Sequence, residues 1–481
     1  MVGAIVGAQL RFSRAAPAAL ASANAGGRID EEVAMTADVI GTADTEPALA
    51  AGKPPLPSSD PFHRPPKGFA AKPPGTTLRS RKIELALFGV VPQRVSAWQL
   101  LYRSCDMHGT PEAAITTVLL PLDADPREAR PLLAFQTAMD AVTEKCSPSY
   151  ALRYGARALG SVTQFEWLLV ANALRRGWAV SIADHEGPRG NFGAPREPGY
   201  RALDGVRAAQ RFAPLGLGPH TPVAVWGYSG GGMASAWMVE MAPTYAPELD
   251  IVGAVLGAPV GDPGEVFARL NGSSYAGLPA IVIAALRRLY PVLGAMLQNE
   301  LTLDGHRFVA RAETATPFGA IFGLAGRRMD DYLSRPLDEV IATPEFQAMF
   351  DDLRLGNSTP TCPLLVVQPL HDQVIHVEGI DGQVERYRRG GAVVSYVRDR
   401  LSEHFSLLPL STPLSLEWLA DRLAGQPVSD EGDSTVWSVA ASLTGARGLY
   451  EMMVTAAKVA LGRPLRQESA PQVPIDRARA A

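Results

Sequence analysis

The stretch that sets the fold reads Val223-Ala224-Val225-Trp226-Gly227-Tyr228-Ser229-Gly230-Gly231-Gly232. An apolar run leads into the pattern Gly-x-Ser-x-Gly, and a helix-forming segment of small residues follows. This order predicts a buried strand, a sharp turn and a helix, with the serine hydroxyl held above the sheet. The helix N-terminus adds positive potential where negative charge develops. We therefore predict Ser229 as a nucleophile and the Gly230 N–H as an oxyanion donor.

Other interpretations of these glycines are weaker. A phosphate-binding loop would need Gly-Lys followed by Ser or Thr, and the glycine spacing departs from a dinucleotide fingerprint. A glycine-rich turn that contains a serine by chance also fits the pattern alone. The apolar run before the serine and the small residues after it favour the nucleophile.

Outward from this turn, short apolar runs alternate with segments of helical period. Runs that are apolar throughout are typical of strands buried on both faces, so we predict a mostly parallel sheet with helices on both sides. The predicted strands are 83–91, 97–104, 113–121, 131–136, 178–183, 223–227, 251–256, 363–368 and 392–397. The predicted helices are 160–176, 201–212, 231–242, 376–388 and 413–424.

An acid and a base are expected after the serine, because α/β-hydrolases follow the chain order serine, acid, histidine. The apolar run 364–367 predicts a buried strand, and Asp372 follows it; a helix, a strand and then His404 come next. Of the other histidines in this part, His371 adjoins Asp372 and His376 starts a predicted helix. We predict Asp372 as the acid and His404 as the base. The alternatives are a solvated turn aspartate and a surface-loop histidine.

A second oxyanion donor is expected from a loop after an earlier strand. The loop 136–140, which follows the apolar run 132–135, is the best candidate, although an ordinary strand-to-helix connection also fits. The run Asp184-His185-Glu186 lies in a loop rich in glycine and proline and has no spaced partner ligands. It is interpreted as structural or substrate-lining rather than as a metal site. No cofactor is predicted.

The composition limits which classes of protein and binding site are compatible with this sequence. The chain has 481 residues, of which 47% are hydrophobic, and 45 basic against 49 acidic residues give a net charge of −4. This composition supports a sizeable core and disfavours non-specific nucleic-acid binding, which needs a basic face. Three cysteines, Cys105, Cys146 and Cys362, are too few for a disulfide-rich scaffold or a four-cysteine zinc site, and one disulfide stays open.

The domain organisation is predicted from changes in composition and hydrophobic pattern along the chain. We predict a mobile Ala/Pro-rich tail and strap (1–76), a first core part (77–261), a helical cap (262–360), a second core part (361–428) and a C-terminal segment (429–481). Within 1–76, the tail is 1–51 and the extended strap is 52–76. Met1 to Leu10 is apolar but short and lacks a basic start, so no signal peptide is predicted.

Two apolar segments bear on partners. The run 275–286 in the cap is uncharged, which fits either a lid that binds acyl chains or the core of the cap. In the C-terminal segment Leu449, Met452, Met453, Ala456, Val459 and Ala460 recur at helical spacing, with Glu451, Thr455 and Lys458 opposite. This pattern predicts an amphipathic helix that either docks on the body or contacts a lipid surface or partner.

Taken together, these residues resemble the secretory lipase family of α/β-hydrolases, particularly its mycobacterial type. The likeness covers most of 77–425 and rests on Gly227-Tyr228-Ser229-Gly230-Gly231, Tyr245-Ala246-Pro247-Glu248-Leu249 with Gly253, Cys146-Ser147-Pro148-Ser149-Tyr150-Ala151-Leu152, Leu370-His371-Asp372 and Glu403-His404. It implies a Ser-Asp-His triad, a helical lid over an acyl pocket, ester hydrolysis and a second oxyanion donor at the backbone N–H of Asp140. Cys146 occupies a position that is often disulfide-bonded in relatives, whereas 262–360 contains no cysteine.

Two hypotheses of function follow. The first is a serine lipase or esterase that acts on lipid-like or apolar acyl esters, with either water or an alcohol as the acyl acceptor. The second is an inactive lipase-like protein that binds lipid or a partner, with contact at a membrane through 445–461. The sequence leaves the location open between a cytoplasmic or envelope-associated protein and, by analogy with the family, a secreted one.

Overall fold

The computed structural model describes residues 45–46, 52–428 and 432–467. Nearly all of the predicted tail 1–51 lies outside the described residues, as does the end of the C-terminal segment. The strands are β1 (Thr45–Glu46), β2 (Thr77–Lys82), β3 (Leu85–Leu87), β4 (Val91–Gln93), β5 (Ser96–Cys105), β6 (Pro111–Leu120), β7 (Leu132–Gln136), β8 (Ala179–Ala183), β9 (Val223–Tyr228), β10 (Ile251–Gly257), β11 (Leu364–Pro369), β12 (Val394–Asp399) and β13 (Gly432–Val436).

The helices follow the same chain order. They are α1 (Pro148–Ala151), α2 (Thr163–Arg175), α3 (Glu197–Gln210), α4 (Gly230–Tyr245), α5 (Pro263–Leu270), α6 (Gly277–Leu286), α7 (Pro291–Glu300), α8 (Leu303–Thr314), α9 (Pro317–Gly323), α10 (Leu337–Ile341), α11 (Pro344–Leu353), α12 (Val377–Arg389), α13 (His404–Leu423) and α14 (Leu443–Ala460).

One large mixed sheet organises the described residues. Its strand order is β1-β2-β5-β6-β8-β7-β9-β10-β11-β12-β13, while β3 and β4 form a separate hairpin. The strands from β8 to β13 in this order pair in parallel, and β2, β5, β6 and β8 pair antiparallel. The prediction of a mostly parallel sheet is confirmed.

Both faces of the sheet are covered, which explains the apolar strands. In β9, Val225 packs in the core formed with α3 and α4, whereas the next residue, Trp226, packs in the core formed with α2 and α13. Successive side chains of a strand point to opposite faces, so a strand between two cores must be apolar throughout. The catalytic candidates lie at the carboxyl ends of these central strands.

Several predicted elements differ from the observed ones. The region 83–91 contains the turn of the hairpin β3–β4 rather than one strand, and the polar strand β2 before it was not predicted. The edge strand β13 was also not predicted. It is exposed along most of its length, so it carries no apolar pattern. The helix predicted at 413–424 begins at His404, nine residues earlier.

The segment 52–76 is anchored to the body of the protein. Phe62 is fully buried, and the Asp60 carboxylate accepts from Arg81 at 2.7 Å and from Arg153 at 3.4 Å. The three cysteines are buried and free, so the open question of a disulfide is settled against one. Burial raises the pKa of the Cys146 thiol to about 12.

Seven helices, α5 to α11, fill the described residues between β10 and β11. The stretch 278–298 contains α6 and α7, since Pro291 starts α7, and the stretch 336–351 contains α10 and most of α11. Within the residues described, no single helix is long and apolar enough to cross a membrane. The pair α6 and α7 reaches that length and hydropathy only when joined, and the chain bends by 114° between them.

Candidate active site

Ser229 lies at the turn between β9 and α4 in an uncommon backbone conformation, with φ +53° and ψ −120°. Its N–H donates to the Gly257 carbonyl at 2.9 Å, which ties the turn to the neighbouring strand. A Cβ atom at Gly227 would overlap the Gly231 carbonyl, and one at Gly231 would overlap the Gln136 carbonyl. The glycines of the motif therefore permit the close packing that holds the serine above the sheet.

Replacing Gly231 with alanine is expected to destabilise the protein by about 3 kcal/mol, because the new methyl group meets backbone that cannot rotate away. Chemical denaturation would measure this loss. The matched control is Gly382→Ala in α12, where a Cβ meets only the flexible end of Arg386. That change should be neutral or stabilising by up to about 1 kcal/mol. Equal effects at both positions would contradict the packing argument.

Asp372 follows β11 and is held by its own loop. Its Oδ1 accepts backbone N–H groups of Val374 and Ile375, each at 2.7 Å, and its Oδ2 accepts from the Gln368 side chain at 3.3 Å. The side chain is fully buried. These donors stabilise the carboxylate and fix Oδ2 toward the histidine.

His404 joins the acid to the serine. It is the first residue of α13, and Glu403 caps that helix through a reciprocal bond with Ser406. The Nδ1 atom of His404 lies 2.8 Å from Asp372 Oδ2, and Nε2 lies 2.9 Å from Ser229 Oγ. A carboxylate can only accept, so Nδ1 carries the hydrogen and Nε2 can accept the serine proton. The structure brings together the three residues that the sequence singled out.

Asp140 also lies at this site, but its backbone group does not serve as the family resemblance implied. The Asp140 N–H donates to Glu186 Oε1 at 2.9 Å, so the expectation of a free second donor there is not met. Instead the Asp140 carboxyl faces the elbow: a Cβ atom at Gly230 would overlap its Oδ1. That oxygen is buried and has no hydrogen-bond partner among the described residues. Burial raises the pKa of Asp140 to about 7.

The run 184–186 holds the loop that carries Asp140. Asp184 accepts from the backbone of Ser149, and His185 Nε2 donates to the Thr137 carbonyl at 2.8 Å. Burial lowers the pKa of His185 to about 4, so the imidazole is neutral. The Glu186 carboxyl accepts the backbone N–H groups of Asp140 and Ala141. The structural interpretation of this run therefore fits its contacts, and no group of His, Cys, Asp and Glu in the described residues could hold a metal ion.

Several contacts at the site had no signal in the sequence. Glu166 of α2 accepts the Ala138 N–H at 3.1 Å, and burial raises the pKa of this carboxyl. From the helical segment, Arg269 donates to the Asp372 carbonyl at 3.0 Å. The Tyr275 ring lies 5.9 Å from that of Phe405, next to His404. These contacts join residues far apart in the chain, which no local pattern reports.

Solved structures place this architecture among the α/β-hydrolases. The lipase A of Candida antarctica in its closed state matches with a TM-score of 0.75 and 21% identity, over 87% of this chain and 100% of that one. At this identity the likeness shows the fold alone. The fold is therefore the α/β-hydrolase fold.

Sequence comparison narrows this class to one family. The secretory lipase family matches residues 152–431. A probable inactive lipase of Mycobacterium tuberculosis is 49% identical over 432 residues, covering 90% of this chain and 97% of that protein. The lipase A of Arthroderma benhamiae is 35% identical over 390 residues, covering 78% and 82%. The chain belongs to the secretory lipase family.

Proposed function

We propose that this protein is an active carboxylic ester hydrolase that works through an acyl-enzyme on Ser229. One observation carries the proposal: Ser229 Oγ, both nitrogens of His404 and Asp372 Oδ2 form a continuous hydrogen-bonded chain at 2.9 and 2.8 Å. A serine in line with a buried imidazole and carboxylate is the arrangement that nucleophilic ester cleavage needs.

In the first half-reaction Ser229 Oγ attacks the ester carbonyl carbon, and His404 Nε2 takes the hydroxyl proton. The resulting imidazolium is stabilised by the Asp372 carboxylate through Nδ1–H. When the tetrahedral adduct collapses, the bond to the alcohol breaks and His404 protonates the leaving alkoxide. In the second half-reaction water attacks the acyl-enzyme by the same route and releases the acid and Ser229.

The oxyanion of each adduct needs donors that are in place beforehand. We assign one to the N–H of Gly230, which begins α4 and has no partner in the helix ladder. We assign the other to the carboxyl of Asp140. A protonated carboxyl is an O–H donor, and burial favours that form of Asp140 near pH 7. The bond to this carboxyl is expected to strengthen as the substrate carbonyl becomes an oxyanion.

The substrate proposed is an ester with an apolar acyl group. The helical segment α5–α11 meets the site through Arg269 and Tyr275, which supports the earlier prediction that it covers the acyl pocket. In this structure α6 packs mainly inward, with Ala280, Ile281 and Ala284 buried, so its apolar run also serves as core of that segment. Membership of a secretory family supports export from the cell as part of the proposal.

A second candidate is an inactive protein that retains the lipase fold. The name of the Mycobacterium tuberculosis relative, a probable inactive lipase, favours it. The complete hydrogen-bonded chain in the present protein favours the active form, because a vestigial site has no need to keep three residues in line.

The two candidates are separated by a fluorophosphonate probe, which reacts only with an activated serine. We expect one label per chain, mapped by mass spectrometry to Ser229, and no label on heat-denatured protein. Ser235, which is buried in α4 next to the elbow, should stay unlabelled. Hydrolysis of p-nitrophenyl esters from acetyl to palmitoyl then gives the chain-length preference. A folded protein that neither labels nor cleaves any ester of the series would support the inactive form.

A further inference from the structure

We infer that α14 is a lipid-binding helix that adsorbs to anionic membrane surfaces through its outer face. We define that face as the side chains of Leu443, Ala446, Arg447, Tyr450, Met453, Val454, Ala457, Ala460 and Leu461, which share one side of the helix. Its most exposed side chains are those of Leu443, Tyr450, Met453 and Leu461, which range from 60% exposed at Met453 to 92% at Leu443, whereas Val454 is half-buried. Arg447 is the one charged side chain among these nine.

The opposite side of α14 fixes the helix to the body, so the outer face is held in place. Thr455 and Val459 are fully buried against α2 and the core beneath it. At Gly448 the helix approaches Pro413 of α13 so closely that a Cβ would clash. Beyond the helix, buried Leu465 exchanges backbone hydrogen bonds with Arg94 and Leu122. A helix of 18 residues is about 27 Å long, so it presents an extended and rigid apolar strip.

Isolated apolar side chains are normal on protein surfaces, whereas a contiguous apolar strip marks an interaction site. The charges beside it are mainly basic: residues 443–467 contain Arg447, Lys458, Arg463 and Arg466 against the single acid Glu451. Glu451 pairs with Arg447 at 3.0 Å, and Asp123 pairs with Arg466 at 3.0 Å, so the local charge stays positive. An apolar face with basic flanks is the combination that binds anionic lipid headgroups.

The position of α14 fits this role. Trp437 follows the carboxyl end of β13, which pairs in parallel with β12. The Trp437 carbonyl accepts a hydrogen bond from the Leu401 N–H at 3.1 Å. Trp437 is 69% exposed and lies at the same edge of the sheet as the elbow. Tryptophan and tyrosine favour the membrane–water boundary, so exposed Trp437 and Tyr450 suit such a contact.

A second copy of this chain is a poorer occupant of the outer face. In a two-fold dimer the same patch meets itself, which would bring the basic flanks of both helices together. Like charges brought together in this way oppose association. An anionic surface instead neutralises them.

The test is sedimentation of the intact protein with vesicles of phosphatidylcholine containing about 30% phosphatidylglycerol. We expect binding that weakens with salt and is much weaker on phosphatidylcholine alone. Met453→Glu and Leu461→Glu should each reduce binding about tenfold, because each places a carboxylate in the apolar strip. Both positions are exposed, so the thermal unfolding temperature should stay unchanged.

The matched control is Phe322→Glu on α9, since Phe322 is 81% exposed in a different aromatic cluster that includes Phe318. This variant should bind like the unchanged protein. Loss of binding in Phe322→Glu alone, absence of binding to the anionic vesicles, or a dimer that Met453→Glu dissociates would each overturn the inference. Binding is measured without turnover, so Ser229→Ala should bind normally even if the protein is not an esterase.

Discussion

Replacing Ser229 with alanine is expected to lower kcat for p-nitrophenyl butyrate by a factor on the order of 10⁶. The change removes the nucleophile, while the backbone conformation at φ +53° is no less accessible to alanine than to serine. The loss should therefore arise from chemistry rather than from folding. Steady-state kinetics with purified protein measures it, and circular dichroism with thermal unfolding provides the folding control.

The partners of Ser229 should act with it as one unit. Asp372→Asn places an amide where the carboxylate accepts the Nδ1–H of His404 at 2.8 Å, which favours the wrong tautomer of the imidazole. This substitution alone should lower kcat about 10⁴-fold. When Asp372→Asn is added to Ser229→Ala, the residual rate should change little. Asp372 acts by orienting His404, and His404 has no proton to take once the Ser229 hydroxyl is gone. A further large drop in the double variant would show that the two residues work independently.

How far the sequence could predict this site depends on chain order. The elbow, the strand before Asp372 and the strand before His404 are each local patterns, and the parallel sheet brings their carboxyl ends together. The three side chains were therefore identifiable without coordinates. The same reasoning found the loop that carries Asp140, because that loop follows the parallel strand β7.

Helix ends near proline were harder to predict. The helix was predicted to begin at Pro413, and proline is tolerated at the first position of a helix but removes an N–H from the ladder further inside it. In the structure α13 starts at His404 with the cap at Glu403, and the Thr412 hydroxyl donates to the Leu408 carbonyl at 2.8 Å. Packing on the sheet, where Leu407, Leu416 and Leu419 are buried, stabilises α13 despite the donors that the two prolines remove.

The orientation of α14 was predicted only in part. Met452 and Val459 lie inside as their spacing indicates, but Met453 is exposed and Thr455 is buried, against the prediction. The Thr455 hydroxyl bonds to the Arg175 guanidinium of α2. A helix that is apolar on most sides has no single preferred face, so its partner decides which side is buried.

The role of Asp140 lies beyond local sequence patterns, because it depends on Glu186, 46 residues later in the chain. Since Glu186 takes the Asp140 N–H, only the carboxyl is left to face the elbow. The charged and titratable groups around that carboxyl are His404, Glu186, Glu166 and Cys146. The donor role of Asp140 requires the protonated carboxyl, and burial favours that form by raising its pKa to about 7.

We therefore expect Asp140→Ala to lower kcat by about 10²- to 10³-fold with little change in KM, because the lost bond forms only in the transition state. Asp140→Asn keeps an N–H donor at the same place and should retain most of the activity. The comparison separates a donor from a side chain that merely fills space. If the asparagine variant loses as much activity as the alanine variant, the assignment is wrong.

The pH dependence gives an independent test of the same assignment. In the unchanged protein the donor is present below the pKa of Asp140 and is lost as the pH rises through about 7, because a carboxylate would repel the oxyanion. The kcat profile should therefore fall on its alkaline side. Asparagine has no such proton to lose, so Asp140→Asn should remove that alkaline fall. An alkaline fall that persists in the asparagine variant would assign it to another group.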